Sequence, residues 1–156
     1  MVLTGSTADL GGVLGKHEFE GNREYIWCYT SADVVRGQVG VITYDGDEET
    51  NPTFSTPATS SVYQYVGVAV KAQDVSVEGY FIKVQIKGDA EALVEGTTDV
   101  AKDDFLEVLN TEDSFKKDAS SRSTNSVCIA QEAQASDSEV LTNVYLLGER
   151  VIVAAS

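Results

Sequence analysis

The strongest constraint on this chain is a set of three short segments that occurs twice in the same order. "ADVVRGQVGVI" resembles "TDVAKDDFLEV", "GVAVKAQ" resembles "CIAQEAQ", and "GYFIKVQIKGDAEALV" resembles "EVLTNVYLLGERVIV". The three pairs begin at Ala32 and Thr98, at Gly67 and Cys128, and at Gly79 and Glu139, which are offsets of 66, 61 and 60 residues. Three matches in one order predict an internal duplication.

The repeated segments have the side-chain pattern of β-strands. In "FIKVQIK", Ile82, Val84 and Ile86 face one side and polar residues face the other, which is the alternation of a half-buried strand. "EYIWCYT", "GQVGVITY" and "VYQYVGVAV" are rich in β-branched and aromatic residues, which favour strands. "DVAKDDFLEVLN" fits a short helix capped by Asp99 or a strand–turn–strand, and its match to the first copy favours the latter.

These patterns predict an all-β fold, a small β-barrel or sandwich built from two similar β units with an extended N-terminal arm. A single hairpin is marginal in water, whereas two packed units bury both apolar faces and can remove exposed edges. We expect a flexible arm over residues 1–23 and a single β domain over residues 24–156. The two copies within the domain cover about 32–94 and 98–153.

The charge and hydropathy of the chain argue against several classes of partner. The 156 residues include 25 acidic and 11 basic side chains, a formal net charge of −14. Nucleic-acid binding requires basic residues that neutralise phosphates, so we expect no nucleic-acid partner. No apolar run reaches the roughly 18 residues of a membrane-spanning helix, and we expect neither a membrane contact nor a secretory signal.

Motifs that could carry chemistry are weak in this sequence. "GGVLGKHEF" has one residue too few for a phosphate-binding loop, and His17 stands where Ser or Thr should be. The acidic "DGDEE" lacks the ligand spacing of an EF-hand, so a solvated turn is favoured over a calcium site. Cys28 and Cys128 match no zinc pattern, and we expect buried free thiols, with one disulfide as the alternative. The sequence therefore predicts no enzyme, no metal and no cofactor.

One strand carries an aromatic face. Tyr25, Trp27 and Tyr29 alternate along "EYIWCYT" and therefore share one side of a strand. Large aromatic side chains serve equally as core residues and as anchors of protein interfaces. The sequence leaves both interpretations open, and these three residues are candidates for self-association.

The first 23 residues form a segment of a different character. They contain five glycines and only scattered apolar residues, without the periodicity of a helix. Such a segment can add as a strand to the sheet edge of a partner, where main-chain hydrogen bonds provide affinity. We expect residues 1 to about 15 to act as this arm, with folding back onto the chain's own sheet as the alternative. The apolar contact residues of the arm are Val2, Leu3, Leu10, Val13 and Leu14.

The strand–turn–strand "ADVVRGQVGVI" and the stretch "YVGVAVKAQDVSVEGYFIKVQIKG" resemble the small head decoration, or cement, proteins of tailed bacteriophages. The later copies "TDVAKDDFLEVLN" and "SVCIAQEAQASDSEVLTNVYLLG" fit the same scheme, and the likeness covers about residues 24–153. There are two departures from the family pattern. Asp103-Asp104 stands where the family often has Gly-Asp, and no glycine matches Gly79 in the second copy.

This resemblance implies a structural role on a virion. It implies a β-rich protein, made in the host cytoplasm, that binds the outer surface of an expanded capsid and stabilises the lattice of the major capsid protein. It also implies self-association on the capsid, most often as a homotrimer. The alternative is a β-rich fibre or receptor-binding module of a virion, which would bind carbohydrate through exposed aromatic residues.

Overall fold

A computed structural model describes residues 14–44, 47, 50–60 and 62–153, and these residues form an almost entirely β structure. One short helix, α1 (Val75–Glu78), interrupts the strands. The strands are β1 (His17–Glu20), β2 (Arg23–Tyr29), β3 (Val39–Thr43), β4 (Thr53–Ser55), β5 (Gln64–Ala69), β6 (Phe81–Glu95), β7 (Phe105–Glu107), β8 (Lys116–Lys117), β9 (Ser126–Ala130), β10 (Glu139–Leu147) and β11 (Arg150–Val151). The predicted all-β fold class is confirmed.

The strands pair so that each half of the described chain closes into a ring. In the first half the hydrogen-bonded order β2–β4–β3–β5–β6 returns to β2. In the second half the order is β6–β10–β9–β7–β8, and a bridge between Val94 and Phe115 returns the ring to β6. Strand β6 is 15 residues long, because its first part closes one ring and its second part opens the other. Ring closure removes unpaired strand edges.

Backbone pairing recurs in the two rings at the offsets seen in the sequence. Val34 and Gln73 exchange two hydrogen bonds of 3.0 Å, and Val100 and Gln134 exchange two of 2.9 Å. The stretch 99–109 is a strand–turn–strand, as its match to the first copy favoured. The other equivalent pairs are Val39–Val68 and Phe105–Ile129, Gly40–Gly67 and Leu106–Cys128, and Ala69–Val84 and Ala130–Val144.

The two departures from the repeat have local causes. Gly37 has a φ of 82°, which favours glycine, and a Cβ built there would lie 2.3 Å from the movable Cδ2 of Leu141 and 3.2 Å from the amide nitrogen of Leu93. Asp103, at the equivalent position, has a φ of 72° in an exposed turn, a conformation that aspartate tolerates. Gly79 has a φ of 94° and ends α1, whereas the second unit has no described helix at this place and needs no such glycine.

The core consists of two clusters of buried side chains. The first fills the ring of the first unit and consists of Ile26, Cys28, Val34, Ile42, Phe54, Ala69, Ile82, Val84 and Ile86. The second fills the other ring and also includes Val39, Val41, Val66 and Val68 of the first unit. Strands β3 and β5 are therefore buried on both faces, which explains why their sequences are almost continuously apolar.

The N-terminal strand corrects one sequence prediction. His17–Glu20 pairs with Arg23–Ile26 as an antiparallel strand, although the flexible arm was predicted to extend to residue 23. The pairing continues before β1, since the amide of Gly15 donates to the carbonyl of Trp27 at 2.8 Å. The predicted arm is therefore too long at its C-terminal end. Residues 1–13 lie outside the described residues.

Strand β6 passes from one ring to the other around Gly88. Gly88 has a φ of 90°, and a Cβ there would lie 2.3 Å from the carbonyl oxygen of Asn22. The buried Gln85 side chain, only 6% exposed, donates through Nε2 to the carbonyls of Lys87 at 3.0 Å and Asp89 at 2.7 Å. These bonds fix the backbone on both sides of Gly88.

We predict that Gly88→Ala lowers the free energy of unfolding by about 3 kcal/mol or more, because the new Cβ meets backbone as well as an unfavourable φ. Gly21→Ala is a matched control: its φ is 61°, but nothing lies within 4 Å of the added Cβ. We expect a cost of about 1–2 kcal/mol there. Chemical denaturation measures both, and equal costs would show that the contact with Asn22 contributes nothing.

Candidate functional site

The aromatic face of β2 is the most distinctive surface of the first unit. Ile26 and Cys28 point into the first core, so Tyr25, Trp27 and Tyr29 lie on the opposite face of the strand. Tyr25 is only 5% exposed, whereas Trp27 and Tyr29 are half-buried. The face therefore contributes to packing at one end and remains accessible at Trp27 and Tyr29.

A charged pair lies beside Trp27. The indole Nε1 of Trp27 donates to Oε1 of Glu18 at 3.0 Å, and Nζ of Lys83 lies 3.4 Å from Oε2 of the same carboxylate. The hydrogen bond from Trp27 and the charge of Lys83 hold the pKa of Glu18 below its usual value. The same Lys83 ammonium lies 4.7 Å from the ring centroid of Tyr25, within the range of a cation–π contact. Strand β1 thus orients Trp27 through Glu18.

Tyr29 completes the face through aromatic contacts. Its ring stacks on that of Tyr80 with centroids 5.9 Å apart, and it meets Phe81 edge-on at 6.1 Å. Both geometries are favoured by the ring quadrupole. The cluster holds Tyr29 in place next to the accessible Trp27.

A groove of about 410 Å³ runs between this face and α1, and we call it the Trp27 groove. Its lining residues are Trp27, Val70, Lys71, Gln73, Glu78, Phe81, Ile82 and Lys83. Gln73 is buried and donates through Nε2 to the carbonyls of Gly79 at 2.7 Å and Phe81 at 3.0 Å. The groove therefore combines an aromatic wall with two ion-paired lysines, Lys71 with Glu78 at 4.0 Å and Lys83 with Glu18 at 3.4 Å.

A second concave surface, which includes residues of β3, β5 and β11, measures about 310 Å³. Tyr44 and Tyr63 are both exposed there, next to the polar side chains of Ser60, Gln64 and Arg150. Exposed aromatic faces with nearby hydrogen-bonding groups can bind small polar ligands. We call this surface the tyrosine groove.

The predicted site residues fall into two groups. Tyr25, Trp27 and Tyr29 are brought together on one strand, next to the Trp27 groove. Leu14 is half-buried just before β1. The other predicted arm contacts lie outside the described residues: Val2, Leu3, Leu10 and Val13.

The remaining residues that the sequence suggested as candidate sites are His17, the acidic stretch 45–49 and the two cysteines. His17 is exposed, and its Nδ1 lies 2.7 Å from Oε1 of Glu24. Of the acidic stretch 45–49, only Asp47 is described, and it accepts a hydrogen bond from the hydroxyl of Thr50 at 2.9 Å. Cys28 and Cys128 are buried free thiols, and burial raises the pKa of both. Within the described ranges, no cluster of three or more His, Cys, Asp or Glu side chains could hold a metal ion.

Sequence reasoning assigned no role to Gln73 and Gln134, which the structure places at equivalent points in the two units. Both are buried, and Nε2 of Gln134 donates to the carbonyls of Val94 at 2.6 Å and Ser136 and Ser138 at 3.2 Å. Each glutamine thus fixes the loop that leads into the last strand of its unit. The repeat could have indicated that the two glutamines have equivalent roles, since they match at an offset of 61 residues.

A buried carboxylate organises the loop between β8 and β9. Asp118 accepts hydrogen bonds from the amide and hydroxyl of Ser120, from the amide of Ser123 and from the hydroxyl of Ser126. Burial raises the pKa of Asp118, but the hydrogen bonds from these serines outweigh it and hold the pKa well below its usual value. Burial, reinforced by the charge of Asp118, raises the pKa of Glu107. Because four donors form hydrogen bonds with the carboxylate oxygens of Asp118, this side chain stabilises the loop.

We predict that Asp118→Asn lowers the free energy of unfolding by about 2 kcal/mol at pH 7, since charge-assisted hydrogen bonds are lost. The folded pKa of Asp118 is depressed, so its contribution is present above the unfolded value of about 4 and is lost as the pH falls further. The difference between wild type and variant should therefore narrow from about pH 4 downwards.

Denaturation at several pH values measures this difference, and Asp137→Asn is the control. Asp137 is exposed and makes no side-chain hydrogen bond within the described part of the chain. We expect it to follow the wild type at every pH. A deficit for Asp118→Asn that stays constant down to pH 2 would contradict the assigned role of the charge.

No helix in the described ranges is long and apolar enough to cross a membrane. No protein-family model matches this chain, and no curated protein sequence matches it.

Proposed function

We propose that this chain is a structural virion protein that binds the outside of an expanded tailed-phage capsid and stabilises the lattice of the major capsid protein. The observation that carries the proposal is the pair of strand–turn–strand units, whose motifs resemble the head decoration family. Both units pair their backbones alike, and one continuous strand, β6, belongs to both rings. A protein that reinforces a shell must keep its shape under load, and closed rings joined by one strand suit that task.

The charge and the thiols of the chain support the same proposal. A net charge of −14 favours solubility at the high concentration needed to cover a shell, and it suits a basic partner surface. Two buried free cysteines suit synthesis in a reducing host cytoplasm. The proposed role needs no active site, cofactor, membrane contact or nucleic acid.

The proposed contact with the major capsid protein is the N-terminal arm. Its anchors are Val2, Leu3, Leu10 and Val13, with Leu14 at its base. An extended segment of 13 residues spans up to about 43 Å, which is enough to reach a neighbouring subunit. Since the amide of Gly15 bonds to Trp27, the arm would leave the sheet beside the aromatic face of β2. Strand addition to the edge of a capsid subunit would provide affinity through main-chain hydrogen bonds.

Titration of undecorated, expanded capsids from the phage that encodes the chain tests this proposal. We expect replacement of Val2, Leu3, Leu10 and Val13 by serine to weaken binding at least about 100-fold, since each buried apolar anchor contributes about 1 kcal/mol or more. The thermal midpoint of the free protein should not change. The control is Phe19→Ser, which removes a 72% exposed side chain from β1 outside the arm.

The outcomes separate two parts of the proposal. Normal binding by the serine variant would exclude the arm as the contact, while absence of binding by the wild type would exclude the decoration role. On the shell we propose a homotrimer at the local three-fold positions, which match trimer symmetry. A map of the decorated capsid with isolated single copies would exclude the trimer.

The tyrosine groove favours a second candidate, a receptor-binding module of a virion fibre that binds carbohydrate. Tyr44 and Tyr63 could stack on sugar rings, while Ser60, Gln64 and Arg150 could bond to hydroxyl groups. Titration with a panel of methyl glycosides, followed by NMR, tests this candidate. Millimolar or tighter binding that Tyr63→Ala abolishes would support it, and absence of shifts across the panel would exclude it.

A further inference from the structure

The tyrosine groove lies where the first core meets the surface. Tyr65 of β5 pairs with Ile42 of β3 on one side and with Arg150 of β11 on the other. Ile42 belongs to the first core and Tyr65 packs against it, while Ile42 and Arg150 both line the groove. Tyr44 and Tyr63, both exposed, lie just beyond the ends of β3 and β5. The groove is therefore built on paired strands and lined by two exposed aromatic side chains.

Arg150 is the one charged side chain among the described residues that line this groove. Its guanidinium carbon lies 4.3 Å from the ring centroid of Tyr65, which is the geometry of a cation–π contact. Burial raises the pKa of Tyr44, and the positive charge of Arg150 acts on that pKa in the opposite direction. The groove is thus locally basic, although the whole chain has a net charge of −14.

Arg122 of the second unit shows how a similar arginine is completed by a carboxylate. Its guanidinium carbon lies 5.1 Å from the ring centroid of Phe105, and its Nη2 lies 3.0 Å and 3.3 Å from the two carboxylate oxygens of Glu149. Arg150 has the aromatic contact but no carboxylate partner within the part of the chain that the structure describes. Because the donors of a guanidinium lie in its plane, stacking leaves them able to bind a planar carboxylate.

The segment that leads to Tyr63 is held by hydrogen bonds. The amide of Ser60 donates to the carbonyl of Val153 at 3.2 Å. The hydroxyl of Ser60 donates to the carbonyl of Val62 at 3.3 Å and accepts from the amide of Val62 at 3.1 Å. Tyr63 is 64% exposed although these bonds fix the chain just before it. Its ring is therefore an accessible face on an anchored segment.

The size of the groove favours one sugar ring over a protein segment. Its volume of about 310 Å³ lies at the lower end of the range for small-ligand sites, which begins at about 300 Å³. A sugar ring has an apolar face that can stack on tyrosine and hydroxyl groups that can bond to polar side chains. A uronic acid adds a carboxylate at the edge of the same ring, which is the group that Arg150 lacks.

From these observations we infer that the tyrosine groove binds a hexuronic acid unit, with the sugar ring against Tyr44 and Tyr63 and the carboxylate bound by Arg150. This assignment rests on the second candidate function, carbohydrate binding at the groove, and adds the acidic class of the sugar. The net charge of −14 opposes an anionic ligand at long range. At about 0.15 M salt the Debye length is about 8 Å, so distant carboxylates are screened while a ligand in contact with Arg150 is not.

NMR titration of the full-length chain at about 0.15 M salt tests the acidic class. The probes are the methyl glycosides of glucuronic, galacturonic and mannuronic acid, each paired with its uncharged primary amide. The amide has the same ring and hydroxyl groups, so the ratio of the two affinities isolates the charge. We expect at least one uronide to bind with millimolar or tighter affinity, at least about tenfold tighter than its amide.

Variants assign the preference to Arg150. Arg150→Gln should bring the ratio of uronide to amide affinity close to one and leave the affinity for the amide within about twofold of the wild type. Arg122→Gln is the matched control, because Arg122 also lies over an aromatic ring, and it should keep the full preference. Tyr63→Ala should weaken uronide and amide binding alike. Thermal melting verifies the fold of each variant, and the wild-type ratio remains decisive if Arg150→Gln does not fold.

The outcomes separate this assignment from the functions on which it depends. Equal affinities for uronides and amides would overturn the acidic class but leave carbohydrate binding in place. Absence of binding by every sugar would overturn both, while the decoration role is decided independently by capsid titration of the wild type. A preference that Arg122→Gln also removes, or that Arg150→Gln keeps, would show that Arg150 does not bind the carboxylate, and the inference would be wrong.

Discussion

The architecture depends on the close backbone approach at Gly88, where a single strand serves two rings. The carbonyl of Asn22 lies where a Cβ of Gly88 would be, so the chain before β2 and the middle of β6 touch without a side chain between them. The carboxylate of Asp89 then accepts hydrogen bonds of 2.7 Å from Asn22 and from Gln131 of the second unit. These two bonds hold the pKa of Asp89 below its usual value. One short stretch of β6 thus ties both units together.

The two units are not independent in their packing. Val39 and Val66 belong to strands of the first ring, yet their side chains lie in the core of the second. The amide of Val39 also donates to the carbonyl of Asp113 at 2.8 Å. Because the second core is incomplete without the first unit, we expect the pair to fold as one cooperative body, although the backbone pattern of each resembles the other.

Much of the strand pattern could be predicted from the sequence, because alternation and duplication are local properties. Ile82, Val84 and Ile86 lie in the first core as their spacing predicted. The strands that close each ring could not be predicted, since the second ring depends on a bridge between Val94 and Phe115 that no local pattern marks.

The candidate site was only partly predictable, for a related reason. Alternation places Tyr25, Trp27 and Tyr29 on one face of β2, but it does not show what covers that face. The structure shows β1 and Glu18 beside it, and a groove next to Trp27. The burial of Gln85 was also unpredictable, because its polar position in the alternation suggested solvent, while its side chain bridges the irregular backbone around Gly88.

Differences between the two units are more informative about function than their similarity. A duplicated β unit that used all its surfaces alike would continue end to end, because each turn would fit the next sheet face. Here the turn at residues 35–38 contains Gly37 and packs against β6, whereas the equivalent turn at residues 101–104 contains Asp103, which is exposed. At the opposite end, β1 occupies part of the edge of β2 that the repeat would otherwise leave open. The two units thus present different surfaces, because one turn is packed against β6 and the other is exposed, and because only the first unit has an additional strand, β1, on its edge.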